Sequence, residues 1–322
     1  MTWYPTPVPS QAGRAVLVTG ANAGLGFFTS ARLAKAGAHV ILAGRSRERL
    51  GAAVAAIRGR VSAASVDTLV IDVASLESVR AGVDRLLDRA PLDTVVLNAG
   101  MVHTPSTRLE SVDGHELVLA TNVLGHFALL AGIVPHLARD ARVITIGSLA
   151  TRLSTFRADD LQLRRSYDAW RAYAQSKIAS ASLAFEFDRR LRRAATDAAE
   201  AVGAASVTPR VHSVVAHPGY SISGRTPRVP GVNEPTRIDR FADALQAPIA
   251  QGKHRGADVI VHAAAADDVE GGQFWGPRFD VKGPPSLGTP TRTSRDPRLG
   301  AKVWDFAEAA VGVRLDVEAV GR

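Results

Sequence analysis

The stretch AVLVTGANAGLG, residues 15–26, decides how the rest of the chain is read. Residues 15–19 form a short apolar run closed by a glycine turn, which predicts a strand buried on both faces of a parallel sheet. Leu25, Phe28, Ala31, Leu33 and Ala34 then recur at helical spacing, and Gly37 ends that pattern. Between strand and helix lies Gly20-Ala21-Asn22-Ala23-Gly24-Leu25-Gly26. Glycines at such a joint allow a tight turn and let backbone N–H groups approach a phosphate at the helix N-terminus. Glycine is common in turns, so the triplet gains meaning only from its place between a strand and a helix.

The same alternation continues outward. Strands are predicted at 39–43, 66–71, 94–97, 142–146, 207–216 and 273–275. Helices are predicted from the Ser46 cap to about 58, then at 75–89, 113–138, 168–195, 255–266 and about 300–311. Strands alternating with helices of this length imply an α/β, doubly wound (Rossmann) fold. The expectation is a mostly parallel seven-stranded sheet with helices on both faces. At about 150 residues per domain, 322 residues suggest two domains. No repeat or linker divides the chain, so one domain over 1–322 is expected. Residues 220–250, with four prolines and two glycines, read as a mobile substrate loop beside a ligand site. A Pro/Ser/Thr-rich arm and the last helix fill 283–322.

Composition narrows the class. Hydrophobic residues are 46% and charged residues 22%, a globular balance that excludes wholesale disorder. No run of 18 uninterrupted apolar residues is present, so no membrane span is expected. Residues 1–10 carry three prolines and no apolar core, unlike a signal peptide, and a cytoplasmic location is the expectation. The absence of cysteine rules out disulfides, thiolate catalysis and Cys-based metal sites. The net charge of +8 raises nucleic acid as a partner, but basic residues are interleaved with acids throughout. The densest cluster, 189–193, is expected at a helix end, where cations suit the dipole. The charge pattern gives no reason to expect a nucleic-acid partner; a small-molecule substrate is the expectation, and a homo-oligomer stays open.

Further landmarks follow the turn in order. Asn98-Ala99-Gly100 comes after the fourth strand, Asn122 lies in Thr121-Asn122-Val123-Leu124-Gly125-His126-Phe127, and Ser148 follows the fifth strand. Tyr173-Ala174-Gln175-Ser176-Lys177 has the form Y-x-x-x-K, and Pro218-Gly219 follows the sixth strand. Together with T-G-x-x-x-G-x-G at Thr19–Gly26, this set resembles the short-chain dehydrogenase/reductase family. The subgroup resembling retinol dehydrogenases and protochlorophyllide reductases fits best. Its marks are Arg45, the residues around Lys177 and the 25-residue gap from Ser148 to Tyr173. Trp3 and the tail around Trp304 look like bacterial members, and only five of the 39 basic residues are lysine, as in a GC-rich coding sequence.

The resemblance implies a catalytic set of Asn122, Ser148, Tyr173 and Lys177. It also implies cofactor contacts from Gly20, Asn22, Gly24, Leu25, Gly26, Arg45, Asp72, Val73, Asn98, Ala99, Gly100, Tyr173, Lys177, Pro218, Gly219 and Ser223. The chemistry agrees. A Tyr phenol titrates near 10, so proton transfer at neutrality needs it shifted down, and a nearby ammonium or an oxidised nicotinamide favours the phenolate. Tyr173 and Lys177 are four apart and share one helix face. A compact ammonium suits this place better than a guanidinium fork. Ser148 would orient the substrate oxygen, and the resemblance has Asn122 hold a water in a relay with Lys177. Ser223 stands where the family often has Thr.

Arg45 ends the second strand where NAD enzymes of such folds place an acid, so NADP(H) is favoured over NAD(H). No metal is expected: His103, His126 and His217 lack partners at ligand spacing. Tyr167, Ser154 and Ser221 read as ordinary loop or surface groups. The expected activity is interconversion of an alcohol and a ketone or aldehyde by hydride transfer, with Tyr173 as proton donor or acceptor. Leu149, Leu153, Phe156 and the 220–250 loop suggest a bulky lipophilic or specialised-metabolism substrate. A non-redox catalyst on this fold (epimerase, dehydratase or cyclase), or a cofactor-sensing binding protein, are the alternatives.

Overall fold

The computed structural model describes residues 7–201 and 211–320. Its strands are β1 (Ala15–Thr19), β2 (His39–Gly44), β3 (Val66–Val70), β4 (Leu92–Leu97), β5 (Leu137–Ile146), β6 (Val211–Ala216), β7 (Ser221–Ile222), β8 (Gln251–Gly252), β9 (Phe274–Pro277) and β10 (Pro285–Leu287). Its helices are α1 (Gly24–Lys35), α2 (Arg47–Arg58), α3 (Leu76–Leu87), α4 (Leu117–Leu119), α5 (Gly125–Ile133), α6 (Ala169–Ala201), α7 (Arg237–Ala244), α8 (Lys253–Ala265), α9 (Arg292–Arg295) and α10 (Pro297–Val311).

The main sheet has eight strands in the order β10-β9-β6-β5-β4-β1-β2-β3. Pairs from β3 to β9 are parallel; β10 runs antiparallel to β9. The expected count of seven therefore becomes eight. The added strand lies in the arm read as irregular: three residues that pair through their backbone on a sheet edge carry almost no side-chain pattern. The strand order reverses between β1 and β4, and ligands of open α/β sheets bind above that switch point, at the carboxyl ends of the strands.

Both faces of the sheet are covered. Val16, Val18, Val40 and Leu42 pack with Phe27, Phe28, Leu50, Ile57 and Ile260 from α1, α2 and α8. Leu17, Ile41 and Val95 pack on the other face with Val83, Leu130, Phe187 and Trp304 from α3, α5, α6 and α10. Burial on two sides explains why the central strands read as unbroken apolar runs.

Several boundaries differ from expectation. The 113–138 helix begins at Leu117 because buried Glu116 turns back to accept the N–H groups of Val118 and Leu119. It contains a π segment, Ala120–Leu124, and ends in a 3₁₀ turn, Val134–His136, beyond which β5 starts at Leu137. The stretch Leu117–His136 is long and apolar enough to cross a membrane, with mean hydropathy 2.0, but 72% of it is buried inside the fold. α6 runs on to Ala201, so the 189–193 cluster sits in mid-helix rather than at its end. Arg189 and Arg190 pair there with Glu186, and Arg192 with Asp188; Arg190 also lies 4.3 Å over the Trp304 ring. Residues 207–210 of the expected sixth strand, and Trp3, lie outside the described residues. The 220–250 segment is not featureless: it holds β7 and α7, whose Thr236 and Asp239 form a capping box, and β7 pairs with β8 just beyond it.

Candidate active site

The turn after β1 has the shape its glycines predict. Gly20 and Gly24 adopt φ of +65° and +57°, conformations that favour glycine. A Cβ on Gly26 would come within 2.5 Å of the Gly20 carbonyl and of Asn98 Nδ2. The α1 N-cap, Ala23, supplies no side-chain hydrogen bond, so the first N–H groups of the helix stay available to an anion. Asn98 Nδ2 donates to the Thr19 carbonyl at 2.8 Å and the Gly20 carbonyl at 3.3 Å, which ties the turn to the end of β4. Thr19 Oγ1 accepts the N–H groups of Asn98 and Ala99, both at 2.9 Å.

At the β2 side, a Cβ on Gly44 would lie 3.1 Å from Asn22 Oδ1, so Asn22 leans against the end of β2, and Arg45, the next residue along, is exposed. Asp72 Oδ1 accepts the Ala74 N–H at 3.0 Å in a local turn that leaves its other oxygen available. The Val73 carbonyl would meet a Cβ on Gly125 at 1.8 Å, which explains glycine at the start of α5.

On the opposite side of the switch point, Tyr173 Oη donates to Ser148 Oγ at 3.2 Å. Ser148 Oγ also accepts the Ala150 N–H at 3.2 Å, so both of its lone pairs are used and its own proton is free to donate. Lys177 is buried and donates to the Ile146 carbonyl at 2.9 Å. A cleft of about 450 Å³ is lined by Leu25, Asn98, Gly100, Val102, Ile146, Gly147, Ser148, Tyr173, Lys177, Pro218 and Gly219. Ser148, Tyr173, Lys177, the turn and the Pro218-Gly219 pair thus meet in one place.

Asn122 is placed differently from the other three. Its Oδ1 accepts the Met101 N–H at 2.7 Å, and its Nδ2 donates to Ser176 Oγ at 2.9 Å and the Met101 carbonyl at 3.2 Å. The amide is fully committed to positioning. Its backbone carbonyl, in the π segment, accepts Ser180 Oγ at 3.1 Å. It lines a second, internal cavity with Lys177, His126, Thr145 and Ser213. A π turn offsets the helical pairing and releases carbonyls from it.

Electrostatics depart from the simple expectation for the phenol. Burial pushes the Tyr173 phenol up, and the Ser148 hydrogen bond only partly opposes it. Lys177 does not pull it down here, because its ammonium is aimed at the Ile146 carbonyl and is itself pushed down to about 8 by burial.

Other expectations fall out as follows. His126 is buried and hydrogen-bonds Thr19 Oγ1 at 3.0 Å; His217 Nδ1 accepts the Gly219 N–H at 3.1 Å. Among the described residues no cluster of His, Asp or Glu could hold a metal. Phe156 packs against the core rather than lining the cleft, whereas Leu153 is exposed. Tyr167 donates to the Pro105 carbonyl. Ser221 donates to the Pro218 carbonyl at 2.9 Å, and Ser223 lies half-buried in the following turn. Sequence reasoning missed Ser176, His126 and Met101 as supports; the only signal was their adjacency to Lys177, Asn122 and Gly100.

The short chain dehydrogenase family model matches residues 14–195. A polyprenol dehydrogenase of Mus musculus is 32% identical over 320 residues, covering 97% of this chain and 86% of that protein. Retinol dehydrogenase 14 of Mus musculus is 32% identical over 319 residues, covering 94% and 86%. The crystal structure of an uncharacterized protein from Mycobacterium Paratuberculosis superposes with a TM-score of 0.72 at 31% identity, covering 96% of this chain and 97% of that one.

Proposed function

The chain belongs to the short chain dehydrogenase family, an NAD(P)-dependent oxidoreductase lineage acting on alcohol and carbonyl groups, and from that premise we propose an NADP-dependent enzyme acting on lipophilic alcohols and their carbonyl products. The observation that carries the reading is the meeting of Tyr173, Ser148 and Lys177 in one cleft with the glycine turn.

The turn fits the cofactor: positive-φ glycines, a Gly26 site too tight for any side chain and an uncapped α1 N-terminus suit a diphosphate. With the diphosphate held there, the nicotinamide would supply or accept the hydride. The remaining work falls to the chain. The free Ser148 proton and the Tyr173 hydroxyl converge on the position of a substrate oxygen, Ser148 orienting it and Tyr173 moving the proton. Lys177 places positive charge at the floor of the cleft. Asn122 acts through its backbone carbonyl beside the internal cavity it shares with Lys177. Burial raises the Tyr173 phenol, and a bound oxidised nicotinamide would supply positive charge that favours the phenolate.

Two features support NADP over NAD. Arg45 is exposed at the end of β2, against which Asn22 leans, with no acid in the place of the ribose-binding carboxylate. Arg45 offers charge-assisted hydrogen bonds to a 2′-phosphate. Lipophilic substrates are supported by Val102 on the cleft wall and by Trp170, whose ring lies 6.2 Å from that of Tyr173; both are exposed. Two relatives carry the names of lipophilic alcohols, retinol and polyprenol.

The test is a panel of lipophilic alcohols and aldehydes with NADPH and NADH, followed at the reduced-cofactor absorbance band. Turnover is expected with NADPH. Arg45→Ala should weaken NADPH binding about tenfold or more and leave NADH nearly unchanged, as losing a charged contact of about 1.5–3 kcal/mol requires. Equal weakening of both cofactors removes the NADP assignment.

A further inference from the structure

Lys253, the first residue of α8, stands over the phosphate turn from the side opposite Arg45. A Cβ on Gly24 would lie 3.4 Å from Lys253 Cδ and 3.7 Å from its Nζ. The placement is built in. β7 pairs with β8, Ser221 with Gln251 and Ile222 with Gly252, so the strand just before Lys253 is held to the residues just after Pro218-Gly219. Gln251 Nε2 donates to the Pro218 carbonyl at 2.9 Å, and the Lys253 N–H donates to buried Thr226 Oγ1 at 2.8 Å. A Cβ on Gly256, one turn on, would come within 3.0 Å of Leu25 Cδ2, so the first turns of α8 and α1 touch.

The Lys253 ammonium makes no hydrogen bond or close ion pair among the described residues. Its counter-charge is Asp243 at some distance, whose Oδ2 already accepts the Gly224 N–H. The α8 N-cap, Gly252, supplies no side-chain hydrogen bond, and neither does the α1 N-cap beside it. The uncapped α1 N-terminus and a lysine at the start of α8 therefore face one turn, a concentration of positive potential with no anion of its own among the described residues.

Resting on the cofactor reading above, we infer that Lys253 is a diphosphate-binding residue, a second cationic anchor supplied from the far end of the substrate segment. The topology separates its target from that of Arg45. β2, with Arg45 and Asn22 at its end, lies on one side of β1. α8 lies on the other, against β5 and β6, the strands that lead into Ser148 and Pro218. A dinucleotide spanning from the β2 side to the Tyr173 side carries its diphosphate between them, above Gly24. A lysine suits this place because it acts as a compact charge from one side and needs no planar partner.

The experiment measures dissociation constants by calorimetry for NADPH, NADH, ADP-ribose and adenosine 2′-phosphate with the full chain and with Lys253→Met and Lys253→Arg. Lys253→Met keeps the apolar stem and removes the charge. It should weaken NADPH, NADH and ADP-ribose alike, by tenfold or more, and leave adenosine 2′-phosphate unchanged. Lys253→Arg should restore most of the loss. Unchanged ADP-ribose binding by Lys253→Met overturns the inference while leaving the cofactor reading in place. A weakening confined to NADPH overturns it too, by moving Lys253 to the 2′-phosphate. Failure of the unaltered protein to bind NADPH, NADH and ADP-ribose overturns the cofactor reading and the inference with it.

Discussion

Tyr173 carries one hydroxyl with two demands on it: burial favours the neutral phenol, while proton transfer requires access to the phenolate. Tyr173→Phe keeps the ring beside Trp170 and removes only the hydroxyl. General acid catalysis is worth about 10²–10⁴-fold, so kcat should fall by that factor while cofactor affinity stays within a few-fold. Single-turnover cofactor oxidation with an aldehyde measures this; retention of most of the turnover means that another group moves the proton. That Ser148, Tyr173 and Lys177 meet in one cleft was legible because their types and order are specific. The detailed duties were not, since nothing in the spacing shows that the Asn122 amide is spent on Met101 and Ser176. Lys253 left no trace either: a lysine at a helix start is ordinary, and only the β7–β8 pairing brings it to Gly24.

Elements buried on both sides were the easiest to read. β1 and β2 were placed to within a residue, because their apolar runs face helices on each side. The π segment and β10 were invisible, the first because a register offset inside a helix leaves the apolar content unchanged, the second because backbone pairing on an edge needs no pattern. The 220–250 segment was read as a loop from its prolines and glycines, yet it contains α7. No residue of α7 is buried, and Ile238, Phe241 and Leu245 present an exposed apolar stripe at helical spacing. Such an element has few contacts to lose and belongs to the low-stability end of the fold. Limited proteolysis should therefore cut first within 220–250, and NADPH together with a lipophilic carbonyl should slow that cut as the stripe closes on substrate. Cleavage indifferent to both ligands would mark α7 as a plain surface insertion.

At the scale of the whole molecule, the buried bases govern how stability depends on pH. Thr19 Oγ1 already accepts two N–H groups, so its own proton must donate, either to the Val96 carbonyl at 3.3 Å or to His126 Nε2 at 3.0 Å. His126 Nε2 has no lone pair to meet on Thr19 and must face it unprotonated. Burial and the nearby Lys177 push its pKa down to about 4. His217, beside Arg152 and Asp280, and His254, beside Arg255 and Arg32, are also pushed down to about 4, chiefly by burial. A histidine with a folded value near 4 and an unfolded value near 6.5 is protonated first in the unfolded chain. Its contribution is whole above pH 6.5 and is lost as pH falls toward 4. Lys177 follows the same sign in another window: depressed to about 8, it adds slope only between pH 8 and about 10.5, where stability rises with pH. Buried Glu116 is pushed up and opposes the histidines, whereas His212 and His262 are pushed down, again chiefly by burial, and act with them. The melting temperature of the cofactor-free protein should therefore change little between pH 6.5 and 8 on account of these groups. It should fall steadily below 6.5, with net proton uptake on unfolding near pH 5. His126→Gln removes one titrating site and should lower that uptake by about one. A melting temperature that stays level from pH 6.5 to 4.5 would mean that these imidazoles are solvated in the folded protein, and the Thr19–His126 link would have to be given up.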